Sequence, residues 1–89
     1  VCISVNDPFV MKAWGKEHNV ENKILMVGDP FCTFIKEIGA EIDKSEKGLG
    51  LRSSRFAMFL ENGVVMKLKE ERDTASCEIS AAENFLKEI

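Results

Sequence analysis

Residues 1–18 read VCISVNDPFVMKAWGKEH, and this stretch predicts a strand that leads directly into a helix. Residues 1–5 form a short apolar run with β-branched side chains, which favours a strand. Asp7 is suited to cap the following helix, because its carboxylate can accept hydrogen bonds from the first free N–H groups. Pro8 suits the first helical position, where no N–H group is needed. The chain is therefore expected to begin with a strand-to-helix unit.

The apolar residues after this turn recur at helical spacing and extend the predicted helix to about residue 18. We expect this apolar face to pack into the core, with lysine and glutamate side chains on the opposite face. The predicted apolar face consists of Phe9, Val10, Ala13 and Trp14.

A second strand is predicted to lead into a second helix through another Asp-Pro pair. Residues 23–27 (KILMV) predict a buried strand, and Gly28-Asp29-Pro30 predicts a capped helix start. This helix is expected over residues 31–38, and Gly39 is expected to end it.

The rest of the chain predicts a loop, a hairpin and a final helix. Residues 40–50 carry charge and little periodicity, so we expect a loop that is either a solvated crossover, which we favour, or a docking segment. Asn62-Gly63 lies between two apolar runs, residues 55–61 and 64–68, and predicts a type I′ hairpin turn. Ser80 and Glu83 have the spacing of a capping box and predict a C-terminal helix.

The predicted order is thus βαβα-loop-ββα. Strands separated by helices favour parallel pairing, and the hairpin adds antiparallel strands, so the fold class is α/β with a mixed sheet.

Composition excludes several classes of protein. With 45% hydrophobic and 30% charged residues, the 89-residue chain is expected to be globular, without the apolar run that a membrane span needs. The net charge of −3 is spread without a basic block, so we expect no nucleic acid partner. Three cysteines without a CxxC pair fit a reducing compartment or a redox enzyme. We expect no metal site, since His18 and the cysteines lack the short-spaced pairs of zinc ligands.

Three blocks of the sequence resemble the type II, peroxiredoxin-5-like peroxiredoxins, and plant-like members most closely. They are residues 2–14 (CISVNDPFVMKAW), 43–65 (DKSEKGLGLRSSRFAMFLENGVV) and 79–89 (ISAAENFLKEI), in the order found in that family. The resemblance implies a thioredoxin-like fold and a thiol peroxidase that reduces hydrogen peroxide and alkyl hydroperoxides. It also implies an upstream Pro-x-x-x-Thr/Ser-x-x-Cys motif with the peroxide-reactive cysteine, and this motif does not occur in the 89 residues.

We therefore expect residues 1–89 to be the C-terminal part of a single thioredoxin-like domain and to be inactive alone. The family's central strand would lie upstream, between the strand at residues 1–5 and the strand at residues 55–61. Its absence would leave two strand edges unpaired.

The resemblance also assigns roles to individual residues. Arg55 aligns with the family's active-site arginine, which would activate the thiolate and the peroxide; the alternative is a surface arginine paired with Glu61 or Glu70. Cys2 is the candidate resolving cysteine, or else a small buried apolar residue, and Cys77 is the weaker resolving candidate. Cys32 is expected to be a structural residue, and Arg52 is expected to be a cation of the loop.

The implied partners are a hydroperoxide substrate and glutaredoxin or thioredoxin as reductant, with no cofactor. A homodimer is expected. The aromatic residues Phe9, Trp14, Phe31 and Phe34 are expected in the core, and the alternative is that they form the dimer interface. The expected location is cytoplasmic or mitochondrial, with targeting information outside these residues. The competing hypothesis is a non-catalytic thioredoxin-fold fragment or interaction module.

Overall fold

The computed structural model describes residues 1–72 and 77–89. The chain forms two compact units, Val1–Ser53 and Ser54–Ile89. In chain order, the first unit alternates strands and helices and the second consists of a hairpin and a helix.

The first unit begins with the predicted strand-to-helix step. Strand β1 (Cys2–Ser4) is followed by helix α1 (Pro8–Glu17), and the Asp7 carboxylate accepts a hydrogen bond from the Val10 N–H at 2.9 Å. Strand β2 (Met26–Gly28) then pairs with β1 in parallel, with Cys2 opposite Met26. The Asp-Pro cap, the helix and the parallel pairing are confirmed, although β2 begins three residues later than residue 23.

Helix α1 buries a different face from the predicted one. Met11 is 1% exposed and Gly15 is buried, whereas Phe9 is 82% and Trp14 is 42% exposed. Gly15 faces β2, since a Cβ atom at this position would lie 2.9 Å from the Met26 Cγ. Met11 and Gly15 are four residues apart and share one face of the helix, and this is the face that α1 buries. The prediction that Phe9 and Trp14 are core residues is wrong.

Asp29 caps the second helix, but the helix begins four residues after Asp29, later in the sequence than expected. Helix α2 spans Thr33–Glu37, and the Asp29 carboxylate accepts hydrogen bonds from three N–H groups. The donor distances are 3.0, 3.3 and 3.0 Å, from Thr33, Phe34 and Ile35 respectively. The predicted start at residue 31 is wrong, because Cys32 takes a left-handed backbone (φ 59°) between the cap and the helix.

The aromatic residues around this helix are not core residues either. Phe31 is 85% and Phe34 is 42% exposed, and Ile35 is the fully buried position of α2. The C-terminus agrees with the sequence: Gly39 follows the helix with φ 72°, and its N–H donates to the Lys36 carbonyl at 3.0 Å.

Residues 40–50 are not the predicted loop. Strand β3 (Glu41–Asp43) and a 3₁₀ turn (Ser45–Lys47) lie within them, and β3 pairs antiparallel with strand β4 (Leu51–Ser53). These strands have three residues each, too few to show a period-two pattern. The pairing therefore depends on the return of the chain, which glycines with positive φ at positions 48 and 50 permit.

The second unit contains the predicted hairpin. Strands β5 (Arg55–Glu61) and β6 (Val64–Glu71) pair antiparallel around Asn62 (φ 52°) and Gly63 (φ 78°), as a type I′ turn requires. A register shift between Phe59 and Leu60 marks a β-bulge. Strand β6 continues three residues beyond the predicted end at residue 68.

Helix α3 (Ala82–Leu86) confirms the C-terminal helix but not its capping box. The residue before the helix is Ala81, and the Ser80 hydroxyl donates to the Glu71 carboxylate on β6 instead. Phe85 is the buried residue of α3. The Lys69 Nζ on β6 lies 3.6 Å from a carboxylate oxygen of Glu88, two residues beyond the helix.

Each strand has one strand partner in the part of the chain described. Within residues 1–72 and 77–89 the six strands form three two-stranded sheets, so β1 pairs with β2 alone and β5 with β6 alone. Parallel and antiparallel pairs both occur, as predicted, but they lie in separate two-stranded sheets and not in one mixed sheet. Both β1 and β5 therefore have one edge without a strand partner in the part of the chain described.

Candidate active site

Arg55 is the first residue of β5, at the end of the hairpin opposite the turn. Its Cα partner on β6 is Glu71. Glu61 stands at the other end of β5, about 20 Å away at the rise of an extended strand, so it cannot pair with Arg55. Glu70 accepts a hydrogen bond from the hydroxyl of the buried Ser54 and lies 3.5 Å from the Arg72 Nε.

Cys2 lies half-buried in β1 as a free thiol. Its N–H donates to the Leu25 carbonyl at 2.8 Å, which fixes the backbone of the strand. Burial raises the pKa of the Cys2 thiol above its ordinary value, because a thiolate loses solvation away from water. Near neutral pH this cysteine is therefore a protonated thiol.

Cys77 is an exposed free thiol in the second unit. The backbone that follows it is held by Glu71, whose carboxylate accepts hydrogen bonds from the Glu78 N–H at 2.8 Å and from the N–H groups of Ile79 and Ser80, each at 3.3 Å. The hydroxyl of Ser80, followed by these amides, holds the pKa of the Glu71 carboxyl below its usual range. Sequence reasoning missed Glu71, because no local pattern links a strand end to amides seven to nine residues later.

Cys32 is one of the residues in the wall of an open cavity of about 380 Å³ in the first unit. It is 2% exposed, in keeping with a structural residue. The other residues that line the cavity are Val5, Pro30, Phe31, Leu49, Leu51 and Arg52.

Arg52 is a residue of β4 and not the predicted loop cation. Its guanidinium donates to the carbonyls of Leu49 at 2.9 Å and Val5 at 2.7 Å, and to the Asn6 Oδ1 at 3.3 Å. These bonds fasten the turn between β1 and α1 to β4. Arg52 is therefore a structural cation of the first unit.

The structure thus places Cys2 and Cys32 in the first unit, and Arg55 and Cys77 in the second. The three cysteines are free thiols. Among the residues described, no cluster of three His, Cys, Asp or Glu side chains has the arrangement of a metal site. None of the described helices has the length and apolar character to cross a membrane.

Residues 1–86 match the Redoxin family, and the chain belongs to it. Peroxiredoxin-2D of Arabidopsis thaliana is 42% identical over 89 residues, which are 100% of this chain and 54% of that protein. Prx3 of Vibrio vulnificus in its reduced form is 49% identical with a TM-score of 0.86, over 97% of this chain and 54% of that one. The structure of the same protein in complex with hydrogen peroxide has a TM-score of 0.87 at 49% identity, over 97% of this chain and 52% of that one.

These likenesses confirm the resemblance to type II peroxiredoxins and the thioredoxin-like α/β fold class, here as a partial fold. The chain spans about half the length of the relatives it matches. The roles of Arg55, Cys2 and Cys77 stay predictions.

Proposed function

We propose that this chain is part of a thiol peroxidase that reduces hydrogen peroxide and alkyl hydroperoxides, and that the peroxide-reactive cysteine belongs to a segment upstream of residue 1. The observation that carries the proposal is the 49% identity, over 97% of this chain, to a Vibrio vulnificus protein solved in complex with hydrogen peroxide. The relatives are about twice as long as this chain, which leaves room for that segment.

The proposed chemistry has two steps on the protein. A cysteine thiolate attacks one oxygen of the peroxide, the O–O bond breaks, and the sulfur becomes a sulfenic acid while the other oxygen takes a proton and leaves as water or an alcohol. A second thiol then attacks the sulfenic sulfur, so that a disulfide forms and water leaves. A dithiol reductant restores both thiols by disulfide exchange and is itself oxidised.

Arg55 is the proposed activating residue for the first step. A guanidinium stays charged and donates several hydrogen bonds in a fixed geometry, so it favours the thiolate over the thiol. It also stabilises the negative charge that develops on the departing oxygen. The position of Arg55 at the open end of the hairpin, away from the Asn62-Gly63 turn, is compatible with contact to an upstream segment.

Cys2 is the first candidate for the second step, with Cys77 the weaker candidate and an external thiol the third route. The half-burial of Cys2 and its raised pKa suit a thiol that is protected until the attacking cysteine is oxidised. Glutaredoxin or thioredoxin is the proposed reductant, in a homodimeric protein of the cytoplasm or the mitochondrion.

The decisive experiment uses the full-length product of the reading frame that encodes these residues. We expect a Pro-x-x-x-Thr/Ser-x-x-Cys motif upstream and consumption of hydrogen peroxide with a thiol reductant. Arg55→Ala should lower the rate of peroxide consumption by about 10²- to 10³-fold, because it removes charge stabilisation in the transition state. Arg55→Lys should recover part of the loss, since it restores the charge without the fork of donors.

The matched control is Arg72→Ala, which removes a second arginine of the same unit and its surface ion pair with Glu70. This variant should retain the wild-type rate. An unchanged rate in Arg55→Ala would remove Arg55 from the site. A full-length protein with neither the motif nor peroxide consumption would favour the non-catalytic interaction module.

A further inference from the structure

One carboxylate of the second unit gathers four hydrogen bonds from a single short segment. Glu71, the last residue of β6, accepts the N–H groups of Glu78, Ile79 and Ser80 and the hydroxyl of Ser80. A surface glutamate ordinarily leaves its carboxylate to water. Four donors from consecutive residues therefore mark Glu71 as an organising residue, which we call the Glu71 clasp.

The Glu71 clasp lies between the two predicted functional residues of this unit. On one side, the strand register places Arg55 opposite Glu71, and directly opposed residues of antiparallel strands have Cα atoms about 4.5–5.5 Å apart. On the other side, Cys77 immediately precedes the first amide that Glu71 binds, at 2.8 Å. The clasp thus ties the backbone that carries Cys77 to the strand end that faces Arg55.

We propose that Glu71 is a positioning residue, which fastens residues 78–80 to the end of β6 and so holds the Cys77 thiol ready to resolve an oxidised cysteine. This inference rests on the proposed peroxidase function. A thiol on an anchored segment reacts faster than the same thiol on an unanchored one. Its effective concentration near the target is higher, and less conformational entropy is lost when it attacks. In the resolving step, Cys77 sulfur bonds to the sulfenic sulfur and water leaves, as above.

The first test measures the clasp itself by amide hydrogen exchange in the full-length protein. Glu71→Ala should accelerate exchange at Glu78, Ile79 and Ser80 by about tenfold to a hundredfold, since hydrogen bonds to a charged acceptor are lost. Glu71→Gln should give a smaller acceleration, because the amide retains one acceptor oxygen without the charge. The control is Glu83→Gln on α3, which removes a carboxylate of the same unit and should leave these amides unchanged.

The second test distinguishes a clasp from an ordinary structural contact by its pH profile. Because Glu71 ionises below its ordinary pKa of 4.5, the clasp should persist at neutral pH and be lost as pH falls through this lowered value. Glu71→Gln should show no such transition once intrinsic exchange is subtracted. Among residues 1–72 and 77–89, the charged neighbours of Glu71 by strand register, sequence and hydrogen bonding are Arg55 on β5, Glu70 and Arg72 beside it in the chain, and Glu78 in the bound segment. Arg55→Ala should leave the transition in place. Loss of the transition in Glu71→Gln and its retention in Arg55→Ala would together assign it to the Glu71 carboxyl.

The third test measures positioning, in a Cys2→Ser background where Cys77 is the remaining resolving candidate. After one equivalent of peroxide, Glu71→Ala should form the disulfide that contains Cys77 at least about fivefold more slowly, by loss of effective concentration. The rate of sulfenic acid formation is measured in the same samples and should stay normal, which separates the attack by Cys77 from any change at Arg55 opposite Glu71.

The outcomes separate the two proposals. Unchanged amide exchange in Glu71→Ala would overturn the clasp, and faster exchange with an unchanged disulfide rate would overturn the positioning role. A full-length protein that consumes no peroxide but shows the exchange effect would overturn the proposed function together with the positioning role. Slower disulfide formation with normal sulfenic acid formation would support both.

Discussion

Two aspartates show at the residue scale how the same side chain serves helices of different strength. Asp7 is exposed and caps α1 through one hydrogen bond, whereas Asp29 is 8% exposed and caps α2 through three. A cap bond typically stabilises by about 1 kcal/mol. The five-residue helix α2 would be only marginally stable alone, and the three cap hydrogen bonds add stability that so short a helix lacks.

The thiol of Cys2 is the residue whose titration we predict. Because burial raises its pKa above the ordinary 9.0, the fraction of thiolate at neutral pH is smaller than for an exposed cysteine. In the full-length protein, alkylation of Cys2 by iodoacetamide should therefore be slower than alkylation of the exposed Cys77 and should rise to a midpoint above pH 9.0. Mass spectrometry of the two peptides measures both rates in one sample. A Cys2 midpoint at or below the ordinary value would contradict the prediction.

At the scale of elements, glycines set how closely the pieces of the first unit approach. A Cβ atom at Gly28 would lie 2.6 Å from the Asn6 carbonyl oxygen and 3.3 Å from the Pro8 nitrogen, both of them backbone atoms. At Gly15 the nearest atom would be the Met26 Cγ at 2.9 Å, which belongs to a flexible side chain. Backbone cannot yield as a methionine side chain can.

Alanine at these two glycines should therefore have unequal effects on the free energy of unfolding. Gly28→Ala should lower it by about 1–3 kcal/mol through overpacking. Gly15→Ala should change it by less than about 1 kcal/mol, because the shift of Met26 is offset by the higher helix propensity of alanine. Urea denaturation of the full-length variants measures both values. A loss at Gly28 that is no larger than the small change expected at Gly15 would show that the approach at Gly28 is not restrictive.

At the scale of the whole molecule, the open strand edges are the dominant feature. Cys2 and Ser4 make the β1–β2 hydrogen bonds, so the alternation of a parallel ladder directs the N–H and C=O of Ile3 to the outer edge. The edge of β5 away from β6 also has no strand partner in the part of the chain described. Unpaired edges attract other strands unless something covers them.

We predict that residues 1–89 prepared alone self-associate through these edges, whereas the full-length protein forms one defined oligomer. Light scattering after size exclusion should show species that grow with concentration for the isolated residues. Ile3→Pro removes the outward N–H group of β1 and should reduce this association, because proline blocks an edge without breaking the β1–β2 ladder. A concentration-independent monomer for residues 1–89 would contradict the prediction.

Local chemistry explains what could be predicted at the candidate site and in the fold. The Asp7 cap, the Asn62-Gly63 turn and the Gly39 helix end each depend on a few consecutive residues, and the sequence predicts all three correctly. The Redoxin family could likewise be inferred from contiguous motifs. The Glu71 clasp could not be predicted, because its donors lie seven to nine residues beyond the end of the strand, where no sequence pattern links them to the acceptor.

By itself, the sequence determined the Asp7 cap, the Asn62-Gly63 turn and the Gly39 helix end, since each depends on backbone sterics and hydrogen bonds over a few residues. The α/β class and the family also follow from the order of contiguous patterns along the chain. Only the tertiary structure decided which face α1 buries, whether residues 40–50 pair as a strand, and what holds the backbone beside Cys77. In each of these cases the energy comes from a partner that lies beyond the few consecutive residues of a turn or a cap. Such a partner is defined only once the chain has returned to it.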